Sequence, residues 1–252
     1  MEKTLGKKIS QKGFVVGPFM KSSDPAFVEI AGYAGFDFVI LDMEHGSVHL
    51  QQMQNMIRAA EVSDISTVIR LRDRMPETIS QALDIGAHAI QVPQITTEEE
   101  VRNIIEASKF FPDGNRGVCR FVRAAKYSGM SSSYYFEKAN QTQIIIQVEG
   151  LKAIENIESI LQVNGFDILF IGPYDLSQSL GVPGKINHPK VISAMKNLIK
   201  KAKEAQKYIG VFIDTIDNAM IWRNMGVHYL AYSVDVGIYF SACKSVVDEI
   251  HK

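Results

Sequence analysis

The sequence predicts an α/β fold, a closed (β/α)8 barrel. Three observations carry that expectation. Short apolar runs alternate with longer amphipathic segments from end to end. Most runs are continuous rather than alternating in polarity, the pattern of parallel strands buried on both faces. Eight runs can be counted, and 252 residues match the ~250 typical of one such barrel. Repeated strand–helix alternation with a count of eight favours closure over an open sheet. Residues 1–252 are therefore expected to form a single barrel domain.

The strand candidates in order are Phe14–Met20, Phe38–Asp42, Thr67–Arg70, Ala89–Pro93, Ile144–Glu149, Asp167–Ile171, Ile209–Ile213 and Tyr229–Ser233. Helices fill the gaps. Asp24 and Pro25 supply an N-cap and a first-turn proline, and the stretch Gly32 to Gly35 closes that helix. Thr97-Glu98-Glu99-Glu100 loads acids onto a helix start, where the macrodipole favours them. Asn187-His188-Pro189 opens another helix, with Lys200, Lys201 and Lys203 near its end. Asp214 or Thr215 caps the seventh. One long irregular connection runs from Pro112 to about Tyr134, and its arginines favour a functional reading, as is common for loops of this length.

Composition excludes several classes. Apolar residues make up 46% and charged residues 22%, with a formal net charge of −1, so no nucleic-acid or membrane-surface footprint is present. Cys119 and Cys243 form no metal-spaced cluster and no disulfide framework, which points to a reduced, cytoplasmic setting. The N-terminus lacks the apolar core of a signal peptide. No apolar run approaches the ~20 residues of a membrane span.

In such barrels the active site lies at the C-terminal ends of the strands. The most informative stretch is Ile171-Gly172-Pro173-Tyr174-Asp175-Leu176-Ser177, which places a carboxylate, Asp175, just past the sixth strand. Glu149 stands in the same relation to the fifth. Acids at the ends of neighbouring parallel strands converge, and converging acids make an oxygen-ligand site for a divalent cation. The other strand ends bring Asp42, Glu44 and His45, then Arg70, then Gln91 and Gln94, then Gln147. Blander roles stay open for each. Glu149 could neutralise a helix dipole, Asp175 could be an N-cap, His45 a turn residue, and Arg70 a buried partner of Asp42 or Glu44. His88 and His228 flank strand starts and read as structural. His188 reads as a cap, and His49 stays undecided. No lysine is expected at a C-terminal strand end, which argues against Schiff-base chemistry.

Taken together, Leu41-Asp42-Met43-Glu44-His45, Arg70, Phe111-Pro112-Asp113-Gly114-Asn115-Arg116-Gly117, Gln147-Val148-Glu149 and Gly172-Pro173-Tyr174-Asp175-Leu176-Ser177 resemble the HpcH/HpaI aldolases over nearly the whole chain. The resemblance implies a TIM barrel of the phosphoenolpyruvate/pyruvate-domain type, with its last helix exchanged between subunits of a homo-hexamer. The final segment, Ile238 to Val247, is apolar enough to bury against a partner. The implied activity is metal-dependent (class II) cleavage of a 4-hydroxy-2-oxo acid to pyruvate and an aldehyde through the pyruvate enolate, with no organic cofactor. By the same resemblance Glu149 and Asp175 ligate Mg2+, Mn2+ or a similar ion such as Co2+, an assignment that the all-oxygen donor set favours. Arg70 would hold the 2-oxo group and stabilise the enolate. His45, oriented by Asp42 or Glu44, would act as acid/base. Gln147 would contact pyruvate, whose carboxylate would rest on backbone N–H groups at Asp175–Leu176, beside Gly172, Pro173 and Tyr174. Arg120 or Arg123 is expected to bind a distal group of the aldehyde. One departure is Leu71-Arg72 after Arg70, where the family commonly carries a proline. The competing readings are an acyl-CoA lyase of the citrate-lyase-β or malyl-CoA type and a non-catalytic sugar-acid-binding barrel.

Overall fold

An alternation hidden inside the apolar runs sets the architecture of residues 5–252, the part of the chain that the computed structural model describes. Eight parallel strands close a barrel in sequential order: β1 (Val15–Met20), β2 (Phe38–Asp42), β3 (Ser66–Arg70), β4 (Ala89–Val92), β5 (Gln143–Val148), β6 (Ile168–Ile171), β7 (Tyr208–Ile213) and β8 (Tyr229–Val234). Each strand end lies within one residue of the run that predicts it. Successive side chains point to opposite faces of a strand, so each run serves two cores. Phe38, Ile40, Val68, Ala89, Ile145, Ile168, Phe170, Tyr229 and Ala231 fill the barrel interior. Val39, Leu41, Ile69, Ile90, Ile144, Ile146, Leu169, Val211 and Leu230 face outward into the layer beneath the helices.

The helices that cover the barrel are α2 (Pro25–Tyr33), α3 (Leu50–Val62), α4 (Pro76–Asp84), α5 (Glu98–Ser108), α6 (Ser132–Asn140), α7 (Leu151–Glu155), α8 (Ile157–Leu161), α9 (Pro173–Ser179), α10 (Pro189–Glu204), α11 (Ile216–Asn224) and α12 (Asp235–Ile250). They follow α1 (Leu5–Lys12), whose Leu5 and Ile9 join the interior core and plug the N-terminal end of the barrel. The caps fall where side-chain chemistry places them. Asp24 accepts from the Ala26 N–H, Thr97 forms a capping box with Glu100, His188 accepts from the Lys190 N–H, and Thr215 caps α11.

The long connection after α5 is packed rather than irregular throughout. It holds a short 3-10 turn at Arg123–Ala125, and α6 begins at Ser132. Its Ala125 and Tyr135 form a small core with Phe110. Helix α12 leaves much of its apolar face in the open. Tyr239 is 62% and Phe240 67% exposed, and Val246, Val247 and Ile250 are exposed as well.

Candidate active site

The inward register of β2, β3 and β5 carries polar side chains upward out of an apolar barrel. On β3, Val68 faces the core, so Arg70 also faces inward at the strand's end. Asp42 is its direct partner across the β2–β3 ladder. The Arg70 guanidinium donates from Nε to Asp42 Oδ1 at 2.8 Å and from Nη2 to Oδ2 at 2.7 Å. Its Nη1 lies 3.0 Å from Glu44 Oε2. Phe19 lies under the guanidinium carbon, with the ring centroid 4.6 Å away. The fully buried Asp42 also accepts from Lys21 Nζ. Burial alone would raise the Asp42 carboxyl, but Arg70 and Lys21 outweigh it and hold the group at about 2. The same ion pair outweighs the desolvation of Arg70 and raises its pKa.

On β5 the inward series runs Ile145, Gln147 and then Glu149 just past the strand end. Glu149 is only 6% exposed. Its Oε1 accepts from the Gln94 N–H at 2.9 Å, and its Oε2 accepts from Gln147 Nε2 at 2.5 Å. Gln94 takes a left-handed backbone, φ 57°, to aim that N–H, and its side chain donates to Glu44 Oε1 at 3.0 Å. Gly172, after β6, leaves room for the carboxylate: a Cβ there would overlap Glu149 Oε2. Burial, with the negative charges of Asp175 and Glu44, pushes Glu149 up to about 7 against the lowering hydrogen bonds from Gln147 and Gln94.

The residues present suit a hard divalent ion. The donors are carboxylate oxygens, and the Glu149 carboxylate is disfavoured first by burial and then by the charges of Asp175 and Glu44, both of which a cation would offset. No group of three or more His, Cys, Asp or Glu able to hold a metal occurs among the described residues. Two protein carboxylates would therefore share the ion with water and substrate oxygens, the usual arrangement for Mg2+.

A cavity of about 300 Å3 opens above these groups. It brings together His45, Arg70, Gln147, Glu149, Gly172, Pro173, Tyr174 and Asp175 from four strand ends, with Phe19, Phe170, Phe212 and Val234 as apolar walls. The Tyr174 hydroxyl donates to Asp214 Oδ2 at 2.7 Å, and burial plus that carboxylate push it to about 12.

Several expectations need correction. Asp42 and Glu44 do not orient the imidazole of His45; their carboxylates clamp Arg70, and Asp42 touches His45 only through the backbone N–H at 3.4 Å. Arg70 is thus both the ion-pair partner and a wall of the cavity. Arg120 and Arg123 are not brought to this mouth. Arg120 donates to the carbonyls of Ser128 and Met130 within its own loop. Arg123 pairs with Glu61 at 2.6 Å and donates to Ile85 O at 3.2 Å, at the opposite end of the barrel. There it lines a separate cavity of about 720 Å3 with Ser66 and His88. The loop is held there by Arg123, bonded to Glu61 of α3 and to Ile85 O after α4, and by Arg116, paired with Asp84 of α4. Leu176 is buried in the outer core, and its N–H is taken by Gly172 O, so it offers no anion contact.

Lys21 overturns the expectation that no lysine stands at a C-terminal strand end. It directly follows β1 and lines the cavity, its Nζ engaged by Asp42. Its place was readable from the two-residue step Phe19, Lys21, which keeps both on the inward face. Gln94 was missed as a contact because its N–H, not its side chain, holds Glu149. His88 and His228 stand as expected, with His88 Nδ1 2.9 Å from Thr67 Oγ1 and His228 Nδ1 accepting from the Ile209 N–H at 3.3 Å; His49, left undecided by the sequence, is the N-cap residue of α3.

Comparison with known proteins identifies the family. Residues 16–242 match the HpcH/HpaI aldolase/citrate lyase family. A hydroxypyruvate/pyruvate aldolase of Roseobacter denitrificans is 32% identical over 245 residues, covering 96% of this chain and 95% of that protein. A 2-keto-3-deoxy-L-rhamnonate aldolase of Klebsiella pneumoniae is 34% identical over 229 residues, 90% of this chain and 85% of that protein. The crystal structure of an HpcH/HpaI aldolase from Desulfitobacterium hafniense superposes with a TM-score of 0.92 at 29% identity, covering 100% of this chain and 98% of that one. The chain belongs to the HpcH/HpaI aldolase/citrate lyase family.

Proposed function

We propose that this chain is a class II aldolase that reversibly cleaves a 4-hydroxy-2-oxo acid into pyruvate and an aldehyde. Glu149 and Asp175 hold its divalent ion, with Mg2+, Mn2+ and Co2+ as the candidates. The observation that carries the reading is the buried Glu149 carboxylate with the exposed Asp175 carboxylate beside it, both lining one mouth with a clamped guanidinium. When bound, the ion supplies Lewis-acid polarisation of the 2-oxo group.

The chain's own residues do the rest. Arg70, fixed by Asp42 and Glu44, directs its remaining N–H groups at the 2-oxo oxygen, where negative charge grows as the enolate forms. A donor already held in place pays no reorganisation when that charge appears. His45, exposed at the rim, takes the proton from the C4 hydroxyl. The C3–C4 bonding pair then becomes the C2–C3 double bond of the enolate, and the aldehyde leaves. Proton return to C3 yields pyruvate. Gln147 has its oxygen and one N–H in use, so it offers substrate at most its second N–H. The phenyl walls exclude water from the enolate side.

The relatives named for 2-keto-3-deoxy-L-rhamnonate and for hydroxypyruvate/pyruvate make 2-keto-3-deoxy sugar acids the first substrates to try. The apolar residues bared on α12 support a homo-oligomer, which we take to be a hexamer. The test is a coupled pyruvate-release assay over 2-keto-3-deoxy sugar acids and hydroxy-oxo diacids, with and without EDTA. Release is expected with at least one substrate, lost on chelation and restored by Mg2+ or Mn2+. Release that survives chelation overturns the metal assignment, and no release from any substrate overturns the aldolase.

A further inference from the structure

Beneath the cavity, three buried polar side chains run in line down through the apolar barrel. The Tyr229 hydroxyl lies 3.5 Å from Gln91 Oε1, as donor; Gln91 Nε2 donates to Gln147 Oε1 at 2.6 Å; Gln147 Nε2 donates to Glu149 Oε2 at 2.5 Å. Tyr229 and Gln91 are fully buried, and Gln147 is 2% exposed. They lie beside the inward-facing Arg70 and Asp42, above a barrel interior filled by aliphatic and aromatic groups. Burying such groups is costly unless each is bonded, and here the bonds share one direction.

We propose that Gln91 and Tyr229 are positioning residues for Glu149, setting through Gln147 the orientation in which that carboxylate faces its ion. The inference rests on the metal site proposed above.

Direction is the crux. An amide presents donors on one side and an acceptor on the other. A reversed Gln147 would point its oxygen at the Glu149 carboxylate, acceptor against anion. Reversal is opposed because the Gln91 NH2 needs an acceptor and finds it in Gln147 Oε1. Gln91 is in turn held by Tyr229, whose hydroxyl gives its oxygen a donor. Burial keeps that phenol protonated. The ring of Tyr229 is fixed by stacking on Phe38, with centroids 4.2 Å apart. Gly210 leaves space for it, since a Cβ there would come 2.8 Å from the Tyr229 ring. Strand β4 thus holds both oxygens of Glu149: one directly through the N–H of Gln94, just past its end, and one through Gln91 and Gln147.

Partners that orient metal ligands typically change metal affinity by ~10–100-fold when removed. The experiment is Mn2+ titration of the full-length protein, followed by EPR of the free ion, for wild type, Gln91→Leu, Tyr229→Phe and the double variant. Thermal melting runs alongside to separate misfolding from lost orientation. Gln91→Leu is expected to weaken Mn2+ binding about tenfold while staying folded, and Tyr229→Phe about threefold. The double variant should bind no more weakly than Gln91→Leu, because the first change already severs the line. Gln91→Met serves if the leucine variant does not fold. A Gln91 variant that binds Mn2+ within about twofold of wild type, or two single effects that multiply in the double variant, overturns the inference. A wild-type protein that binds no Mn2+ overturns the metal site itself, and the inference with it.

Discussion

Asp42→Asn keeps the shape of a buried side chain and removes its charge. The carboxylate it replaces is fully buried, bonded twice to Arg70 and once to Lys21, and held at about 2 against an ordinary 3.8. A native value below the unfolded one means that ionised Asp42 stabilises the fold. The gain is whole above about pH 4 and drains away as pH falls through about 2. The difference corresponds to about 2 kcal/mol at neutral pH. Breaking a buried pair outright costs ~3–5 kcal/mol. The smaller figure applies here because Arg70 keeps Glu44 at 3.0 Å and an asparagine oxygen can still accept one bond. For a chain of this size about 2 kcal/mol lowers Tm by roughly 4–8 °C. The assay is paired thermal melts of wild type and variant at one protein concentration, at pH 7 and at pH 3. At pH 3 the linkage leaves about half of the gap. Equal melting temperatures at pH 7 would refute the reasoning, as would a gap that does not narrow in acid.

Two further outcomes follow from the geometry. Gly172→Ala places a Cβ against Glu149 Oε2 and 3.2 Å from that residue's own Cβ, so the carboxylate must turn. Mn2+ affinity should fall about tenfold or more with the barrel intact by circular dichroism, and unchanged affinity would show that Glu149 can yield at no cost. Lys21 stands in the mouth with its Nζ on Asp42, so incubation with pyruvate and sodium borohydride should leave its mass unchanged. A reduced pyruvyl adduct on Lys21 would reinstate Schiff-base chemistry.

The barrel was legible because eight short apolar runs leave little else for the chain to do, and each strand falls within one residue of its run. The placement of the carboxylates was legible for the same reason: Glu149 directly follows β5, Asp175 stands in the first turn of the helix after β6, and both line one mouth. What composition conceals is which way a residue faces and which neighbour claims it. Asp42, beside His45 in the chain, is claimed by Arg70 from the next strand, because ladder register sets that pair in space. Arg120 and Arg123 stand in a loop held by Arg123 and Arg116 through partners on α3 and α4, and no local spacing announces those partners. Gln91 and Gln147 carried a usable signal: an amide inside an otherwise apolar strand must find a buried partner, and their inward register points each at the other.

Charge balance at this mouth supports the divalent ion proposed above. Lys21 and Arg70 contribute two positive charges, already matched by Asp42 and Glu44. Among the described residues, Glu149 and Asp175 then have no ion-pair partner of their own, although Arg70 lies near enough to feel the charge of Glu149. Burial first, and then the charges of Asp175 and Glu44, raise Glu149 to about 7. Protonation quiets one charge at the expense of a ligand, and a monovalent ion would leave one charge standing. The proposed divalent ion would meet both and favour the ionised form of Glu149, while Asp42 and Glu44 hold the Arg70 guanidinium in place.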